Sequence, residues 1–333
     1  MRSTDVEQCV RFTAGIPILR HRYGIYISQL AQVWLSLLGR DCFDTAITEE
    51  GVGPTARMVA VSAAAFVSAD FVEDLKSAPS FWTAAELVRR FTEGRSPFLS
   101  DGEVRQANSS GGLNLVVWQN GPLPGEMRRP EVAHAMIGAF LENYRGFRIN
   151  EVCNQAESLE DLVGLRAMGA RFFDMAGRRW TEIPVDNAQK ILGEPHVVGM
   201  KPESLENRAS YAGLIFLYQP PQFGFSRSEQ KLLLAALGGA SEEQLCAALG
   251  ISLSGVKKAW RRIYERVADH SPDLLPNHLT DSSGTAAERG KEKRRRLILY
   301  LREHPEELRP ISRKLLGIGE GPQQIGRSTA GAQ

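Results

Sequence analysis

The sequence has few of the residues that build metal sites and disulfide frameworks. Its 333 residues include four cysteines and six histidines. The cysteines form no CxxC pair, and the histidines are scattered along the chain: the thiols are Cys9, Cys42, Cys153 and Cys246. Zinc fingers and redox motifs need closely spaced ligands. We therefore expect free thiols, no bound metal and no cofactor.

Long apolar runs are also missing. No segment approaches the roughly 20 apolar residues that cross a bilayer. The chain starts MRSTDVEQCVRF, which lacks the apolar core of a signal peptide. We therefore expect a cytoplasmic protein without a membrane partner. With 43% hydrophobic residues, a chain of this length can bury a sizeable core, and two domains are expected.

No set of residues has the spacing of a nucleophile and its base, so we expect no enzyme activity. Four tryptophans are interpreted as core aromatics, with the lining of an apolar ligand pocket as the alternative for each: Trp34, Trp82, Trp118 and Trp180.

Residues 1–219 alternate predicted helices and strands, which is typical of an α/β or α+β domain with a mixed sheet. The predicted helices are 6–12, 25–38, 81–91, 131–144 and 158–168. The predicted strands are 43–48, 57–67, 113–118, 147–153, 171–175 and 211–218. Polar loops are expected at 108–112 and 121–130. Two alternatives stay open, because the helices 6–12 and 25–38 could form a dimer interface and 63–65 could be helical.

Residues 225–267 divide into three short helices separated by two tight turns. Each of the first two helices begins with a capping box, Ser226 with Glu229 and Ser241 with Gln244. Glycines end both of them, and Ser252 can cap the third helix. The pattern predicts a helix-turn-helix unit.

The third of these helices separates apolar from cationic residues by angle. Its apolar side should pack on the first two helices, giving a predicted core of Leu232, Leu233, Leu245, Leu249, Val256, Trp260 and Ile263. The opposite side carries the residues that we expect to contact DNA: Ser254, Lys257, Lys258, Arg261 and Arg262. Long cationic side chains on such a helix reach phosphates and base edges in the major groove of B-DNA.

These residues resemble the C-terminal DNA-binding domain of LuxR-type (GerE-type) regulators. The shared pattern is Ser226-x-x-Glu229, Leu232-Leu233, Leu245-x-x-x-Leu249-Gly250-Ile251-Ser252, Val256-Lys257 and Ile263-Tyr264. The resemblance implies a four-helix domain that binds double-stranded DNA as a homodimer, with its third helix in the major groove. Gly255 departs from the family, which usually has Thr or Ser there to contact a phosphate. Glycine also costs a helix about 1 kcal/mol relative to alanine.

Net charge differs between the two halves of the chain. Residues 1–222 carry 22 Lys and Arg against 26 Asp and Glu, whereas residues 223–333 carry 18 against 13. Attraction to phosphate is therefore expected in the C-terminal half.

We accordingly predict a transcriptional regulator. The expected order is an α/β sensor-like input domain (1–219), a Pro-rich hinge (220–224), the helix-turn-helix domain (225–270), a polar linker (271–290), C-terminal basic amphipathic helices (291–316) and a disordered tail (317–333). The basic run 291–296 could either meet phosphate or begin a docking helix.

The sequence does not indicate what the input domain senses, because it lacks the signature residues of a receiver domain and those of an autoinducer pocket. Residues 113–172 also resemble the second half of the GNAT acetyltransferase fold. The loop at 119–125, however, contains prolines that lack the N–H groups of a pyrophosphate cradle. The alternatives are therefore an acyltransferase fused to a DNA-binding domain, and a regulator that binds an apolar small-molecule effector.

Overall fold

The computed structural model describes residues 3–51, 56–77, 82–156, 171–173, 180–181, 196–205, 211–275, 286–311 and 323–325. The chain divides into two compact units. The first consists of Met1–Leu217 together with Gly321–Gln333, and the second of Tyr218–Glu320. The predicted hinge at 220–224 thus lies within the second unit.

The strands of the first unit are β1 (Phe43–Glu50), β2 (Arg57–Val67), β3 (Leu113–Pro122), β4 (Ile149–Ala156), β5 (Arg171–Phe173), β6 (Trp180–Thr181), β7 (His196–Met200) and β8 (Gln323–Ile325). In the described residues they form one sheet with the order β6-β5-β7-β4-β3-β2-β1-β8. Strands β1, β2 and β3 are antiparallel neighbours, whereas β3 and β4 run parallel. This confirms a mixed sheet in a domain of mixed α/β content.

The helices of the first unit are α1 (Val6–Gly15), α2 (Pro17–Tyr23), α3 (Leu30–Leu37), α4 (Ala69–Ser77), α5 (Thr83–Thr92), α6 (Asp101–Ser109), α7 (Pro130–Tyr144) and α8 (Tyr211–Ile215). Helix α7 connects the parallel pair β3 and β4, which is the crossover that such a pair requires. Its first residue is Pro130, whose missing N–H costs nothing in the first turn.

The centre of the first unit is a layer of small and aromatic side chains. All of β2 from Met58 onward is buried except for Ser62, as expected for a strand covered on both faces. Strand β2 also runs through 63–65, so the helical alternative there is wrong. Trp118 meets Trp34 edge to face at 6.3 Å between ring centroids and stacks on Phe98 at 5.3 Å. Both of these tryptophans are core residues.

Several predicted elements of the first unit differ from the structure. The apolar run 211–218 begins as helix α8, because Ala212 and Ile215 are buried at helical spacing; a short apolar run does not distinguish helix from strand. The segment 25–38 is a 3-10 helix, Gly24–Gln29, followed by α3. Strand β3 continues to Pro122, into the predicted loop at 121–130. The predicted helix 158–168 lies outside the described residues.

The second unit is helical in its described residues. Its helices are α9 (Arg227–Leu237), α10 (Glu242–Leu249), α11 (Leu253–His270) and α12 (Ala286–Glu303), and a 3-10 turn follows at Pro305–Leu308. Two segments near the C-terminal end of the chain differ from their predictions. Residues 286–290 of the predicted linker begin α12, since Ala, Glu and Arg favour helix. Residues Gln323–Ile325 of the predicted disordered tail form β8, which pairs in parallel with β1.

Candidate nucleic-acid interface

Local capping sets the start of each of the first three helices in the second unit. Ser226 donates its backbone N–H to the Glu229 carboxylate at 2.8 Å, and its hydroxyl accepts from the Glu229 N–H. Ser241 and Gln244 form the same reciprocal pair. Both predicted capping boxes are confirmed. Gly250 then adopts the left-handed conformation, with φ of 65°, and turns the chain towards α11.

Helix α11 begins at a capped position and is long. The Ser252 hydroxyl accepts from the Gly255 N–H at 3.2 Å. The helix has 18 residues, so its axis is about 27 Å long, and it continues beyond the predicted end at 267 to His270. Only its first few turns are needed to fill a major groove about 12 Å wide.

The side of α11 that faces the protein is apolar. Val256, Trp260 and Ile263 are buried against α9 and α10, where Leu232, Leu233 and Leu245 are also buried. Leu249 differs slightly from its predicted place because it is only partly buried at the edge of this core. Because this side of α11 packs on α9 and α10, the opposite side of the helix is exposed to solvent.

The solvent side of α11 carries the predicted DNA-contacting residues, and all of them are exposed: Ser254, Lys257, Lys258, Arg261 and Arg262. They lie within the first ten residues of the helix, whereas the exposed acidic residues, Glu265 and Asp269, lie in its second half. Positive charge is thus concentrated near the Gly250 turn. The Arg261 Nε atom lies 3.0 Å from Glu265 in an exposed ion pair, a kind that contributes little in water.

Helix α12 packs on this three-helix group as a fourth helix. Leu297 and Leu301 are buried in the shared core. The Arg294 guanidinium lies 4.9 Å from the centre of the Trp260 ring and donates to the Ala240 carbonyl oxygen at 3.2 Å. A cation over an indole face is attracted by its electron-rich centre. Of the two alternatives for the basic run 291–296, these contacts favour a docking helix.

The remaining arginines of that run are paired with a neighbouring carboxylate. Arg295 and Arg296 both donate to Glu292, at 2.8 to 3.0 Å. The bonds from Arg295 and then from Arg296 lower the pKa of Glu292 to about 2. One carboxylate thus pairs with two of the five cations of this run, within one helical turn.

The segment that leads into α9 is anchored by a buried glutamate from the C-terminal 3-10 turn. The backbone N–H groups of Gln222 and Phe223 donate to the Glu307 carboxylate at 2.7 and 3.1 Å. Gln230 on α9 donates to the carbonyl oxygens of Glu307 and Arg309. Burial raises the pKa of Glu307. Residues 222–223 of the predicted hinge are therefore fixed to the second unit.

In the first unit, the loop that was compared with the acetyltransferase phosphate cradle has residues engaged in packing. Gln119 is buried, accepts from the Tyr23 hydroxyl at 2.8 Å and donates to the Thr13 hydroxyl at 2.9 Å. A Cβ atom on Gly121 would lie 2.7 Å from Leu19 Cδ1. The Leu19 side chain on α2 would have to move to admit a larger residue there.

Other kinds of site would depend on reactive thiols, clustered metal ligands or long apolar helices. All four thiols are free, and burial raises the pKa values of Cys9 and Cys42 to about 12. Over the described ranges, no group of three or more His, Cys, Asp or Glu residues could hold a metal ion. Nor does any helix in that part of the chain have the length and apolar character needed to cross a membrane.

No family model, curated protein or solved structure matches this chain. Its function is therefore inferred from the geometry and charge of α11 and its neighbours.

Sequence reasoning missed two residues of this unit. Arg294 was given no role of its own within the basic run 291–296, although its spacing of three and seven from Leu297 and Leu301 places it on the buried side of α12. Glu307 had no local signal, because its partners on the chain lie more than 80 positions away.

Proposed function

We propose that this chain is a DNA-binding transcriptional regulator. In this proposal the second unit binds double-stranded DNA, with the first turns of α11 in the major groove. The first unit is the input domain, and it responds to a small-molecule effector. The active form is a homodimer, because one short helix covers only a few base pairs and useful specificity needs two half-sites.

The observation that carries the proposal is the distribution of charge on α11. Four exposed cations and an exposed serine lie near its capped start, and its two exposed acidic residues lie near its end. A surface chosen only for solubility would mix the two signs. A helix that enters a polyanionic groove by its N-terminal end needs this order, since its start meets the phosphates and its end does not.

Fewer observations support the alternative function, that of an acyltransferase. The parallel pair β3 and β4 with crossover α7 fits such a fold at the level of topology. Gln119 and Gly121, however, are engaged in packing α1 and α2 on the sheet. We therefore propose that the first unit binds its effector without converting it.

The direct test is binding of the full chain to a mixed-sequence duplex by fluorescence anisotropy at several salt concentrations. The variant Lys257→Ala/Arg261→Ala removes two cations from the exposed side of α11. If both contact phosphate, the slope of log affinity against log salt should fall by about 1.8, since each contact contributes about 0.9. Loss that is confined to a preferred sequence would instead indicate base contacts.

A matched control is Lys291→Ala/Arg302→Ala, which removes one lysine and one arginine from exposed positions of α12. It should leave both affinity and slope near those of the parent chain. Equal losses in the two variants would mean that only net charge matters, and absence of any duplex binding by the parent chain would refute the proposal. Sedimentation on a selected duplex should show two chains per site.

A further inference from the structure

A large apolar side chain is exposed at the start of α11. In the described residues of the second unit, the exposed large hydrophobics are Ile251, Leu253 and Leu299, at 39%, 44% and 45%. Two of these three lie next to the Ser252 cap. Exposure of a single leucine is ordinary. Ile251 and Leu253, however, adjoin the exposed cations of α11, where polar residues would be expected.

Ile251 has a local reason to be apolar. It precedes the cap residue, and Val256 is the fourth residue of the helix that follows. Apolar residues at these two positions form the hydrophobic staple that directs a chain into a helix. A Cβ atom on Gly255 would also lie 3.4 Å from Ile251 Cβ, so Ile251 covers the first turn of the helix.

Leu253 has no such reason. It is the first residue of α11 and is not part of the core. Lys257 and Arg261 follow it at four-residue intervals, so the three side chains form one row along the helix. A partner that covers this row must present negative charge to Lys257 and Arg261 and an apolar group to Leu253.

The major groove of DNA has this combination. Its phosphates run along both edges, and the C5-methyl group of thymine is the apolar group on its floor. In helix-turn-helix proteins the N-terminal residues of the third helix are those that reach base edges. Leu253 is at this end of α11, immediately after the Gly250 turn.

We infer that Leu253 reads the C5-methyl group of a thymine, and that it makes the preferred half-site of this protein contain a thymine at one fixed position. The inference rests on the proposed function. Covering one methyl group of this size corresponds to about fourfold in affinity. The contact is apolar, so it leaves the salt slope unchanged.

The test uses the full chain and a duplex selected by it from a random library. Each thymine of the selected site is replaced in turn by uracil, which pairs identically but lacks the methyl group. The parent chain should lose about fourfold in affinity at one thymine of each half-site. Leu253→Ala should bind the thymine duplex about fourfold less tightly and should not respond to uracil at that position.

Two further variants make the result specific. Leu299→Ala removes an equally exposed leucine from α12 and should respond to uracil as the parent chain does. Leu253→Met keeps an apolar side chain and should retain the response, which also covers the case in which the alanine variant folds poorly.

Contrary outcomes are distinguishable. Uracil without effect at every position, or the same effect in parent and Leu253→Ala, would overturn the inference while leaving DNA binding intact. Weaker self-association of Leu253→Ala with an unchanged uracil response would assign Leu253 to a protein contact instead. A parent chain that selects no duplex would overturn the proposed function and this inference together.

Discussion

Helices α11 and α12 are equal in length, but their cations have different neighbours. Each has 18 residues and a cluster of Lys and Arg. On α12, Arg295 and Arg296 bond to Glu292, and Arg294 lies on the Trp260 ring. On α11, the exposed cations have one acidic neighbour within a turn, Glu265.

The comparison shows that the number of cations in a helix does not indicate a nucleic-acid surface. Acidic residues three and four places away pair with individual cations of a helix. The face on which the apolar residues lie then decides whether the cations are exposed. The cations of α11 thus lie on a helix face with little acidic charge beside it, as the proposed DNA-binding role requires, whereas α12 contributes Leu297, Leu301 and Arg294 to the packing of the second unit.

The largest expected effect concerns the packing role of α12. Leu297→Ala should lower the free energy of unfolding of the second unit by about 2–5 kcal/mol, because it leaves a cavity in a closely packed core. Amide hydrogen exchange resolved to peptides of α9 and α11 would measure the loss. Leu299→Ala, on the exposed side of the same helix, should change it by less than about 0.5 kcal/mol. Equal effects would contradict the docking of α12.

A smaller effect is expected at the buried glutamate that follows α12. Glu307→Ala should destabilise the second unit by about 1–3 kcal/mol at neutral pH, because the N–H groups of Gln222 and Phe223 lose their acceptor. Asp269→Ala, which removes an exposed carboxylate from α11, is the control. Hydrogen exchange of peptides from 218–230 would register the difference, and protection equal to that of the parent would contradict this role.

The pH dependence of Glu307 follows from the same burial. Its pKa is raised in the folded protein, so the folded state holds this proton more tightly than the unfolded state. The stability that comes from the proton is complete below the ordinary glutamate pKa, about 4.3, and is lost as pH rises through the folded pKa. Glu307→Gln carries no titrating proton. As pH rises from about 4.3 through the folded pKa of Glu307, the free energy of unfolding of Glu307→Gln should therefore increase relative to that of the parent. Urea unfolding at several pH values would measure the difference, and a difference that does not change with pH would contradict the prediction.

Gly255 offers a gain rather than a loss. A Cβ atom there would meet Ile251 at ordinary contact distance, so Gly255→Ala should stabilise α11 by up to about 1 kcal/mol. Gly255→Thr adds the hydroxyl that the LuxR-type pattern places against a phosphate, and should raise DNA affinity by about tenfold. Anisotropy titration of both variants separates the two effects, because only the threonine should change affinity. Identical affinity of Thr and Ala variants would argue against a phosphate at this position.

The smallest expected effect tests the comparison of the two helices directly. Glu265→Ala removes the acidic neighbour of Arg261, whereas Glu292→Ala removes the acidic partner of Arg295 and Arg296. DNA affinity should rise about threefold for Glu265→Ala, a gain of the size of one exposed ion pair, and should stay unchanged for Glu292→Ala. A gain for Glu292→Ala alone would make α12 the phosphate-contacting helix.

The parts of the fold that the sequence predicted best are those fixed by neighbours on the chain. The helix starts at Ser226 and Ser241 depend on a partner three residues away, and both were found as expected. The same capping pattern at Ser100 and Glu103 begins α6, which was not predicted although its signal was present. A capping pattern that spans three residues therefore predicts a helix start when it is sought along the whole sequence.

Contacts between distant residues could not be predicted in the same way. Gln119 is held by Tyr23 and Thr13, which precede it by 96 and 106 positions, and no local pattern marks such a pair. In the second unit, the exposed side of α11 followed from apolar spacing alone. The place of Arg294 on Trp260 did not, because it requires the packing of α12 as well as its sequence.

The bonds from Gln222 and Phe223 to Glu307 join a segment near the beginning of the second unit to the 3-10 turn that follows α12. Because Gly321–Gln333 belongs to the first unit, the second unit is an insertion between two parts of the first rather than a C-terminal appendage. Insertion of one domain into another is tolerated most easily where the two connecting segments lie close together. The polypeptide thus joins the two compact units at both ends of the second one.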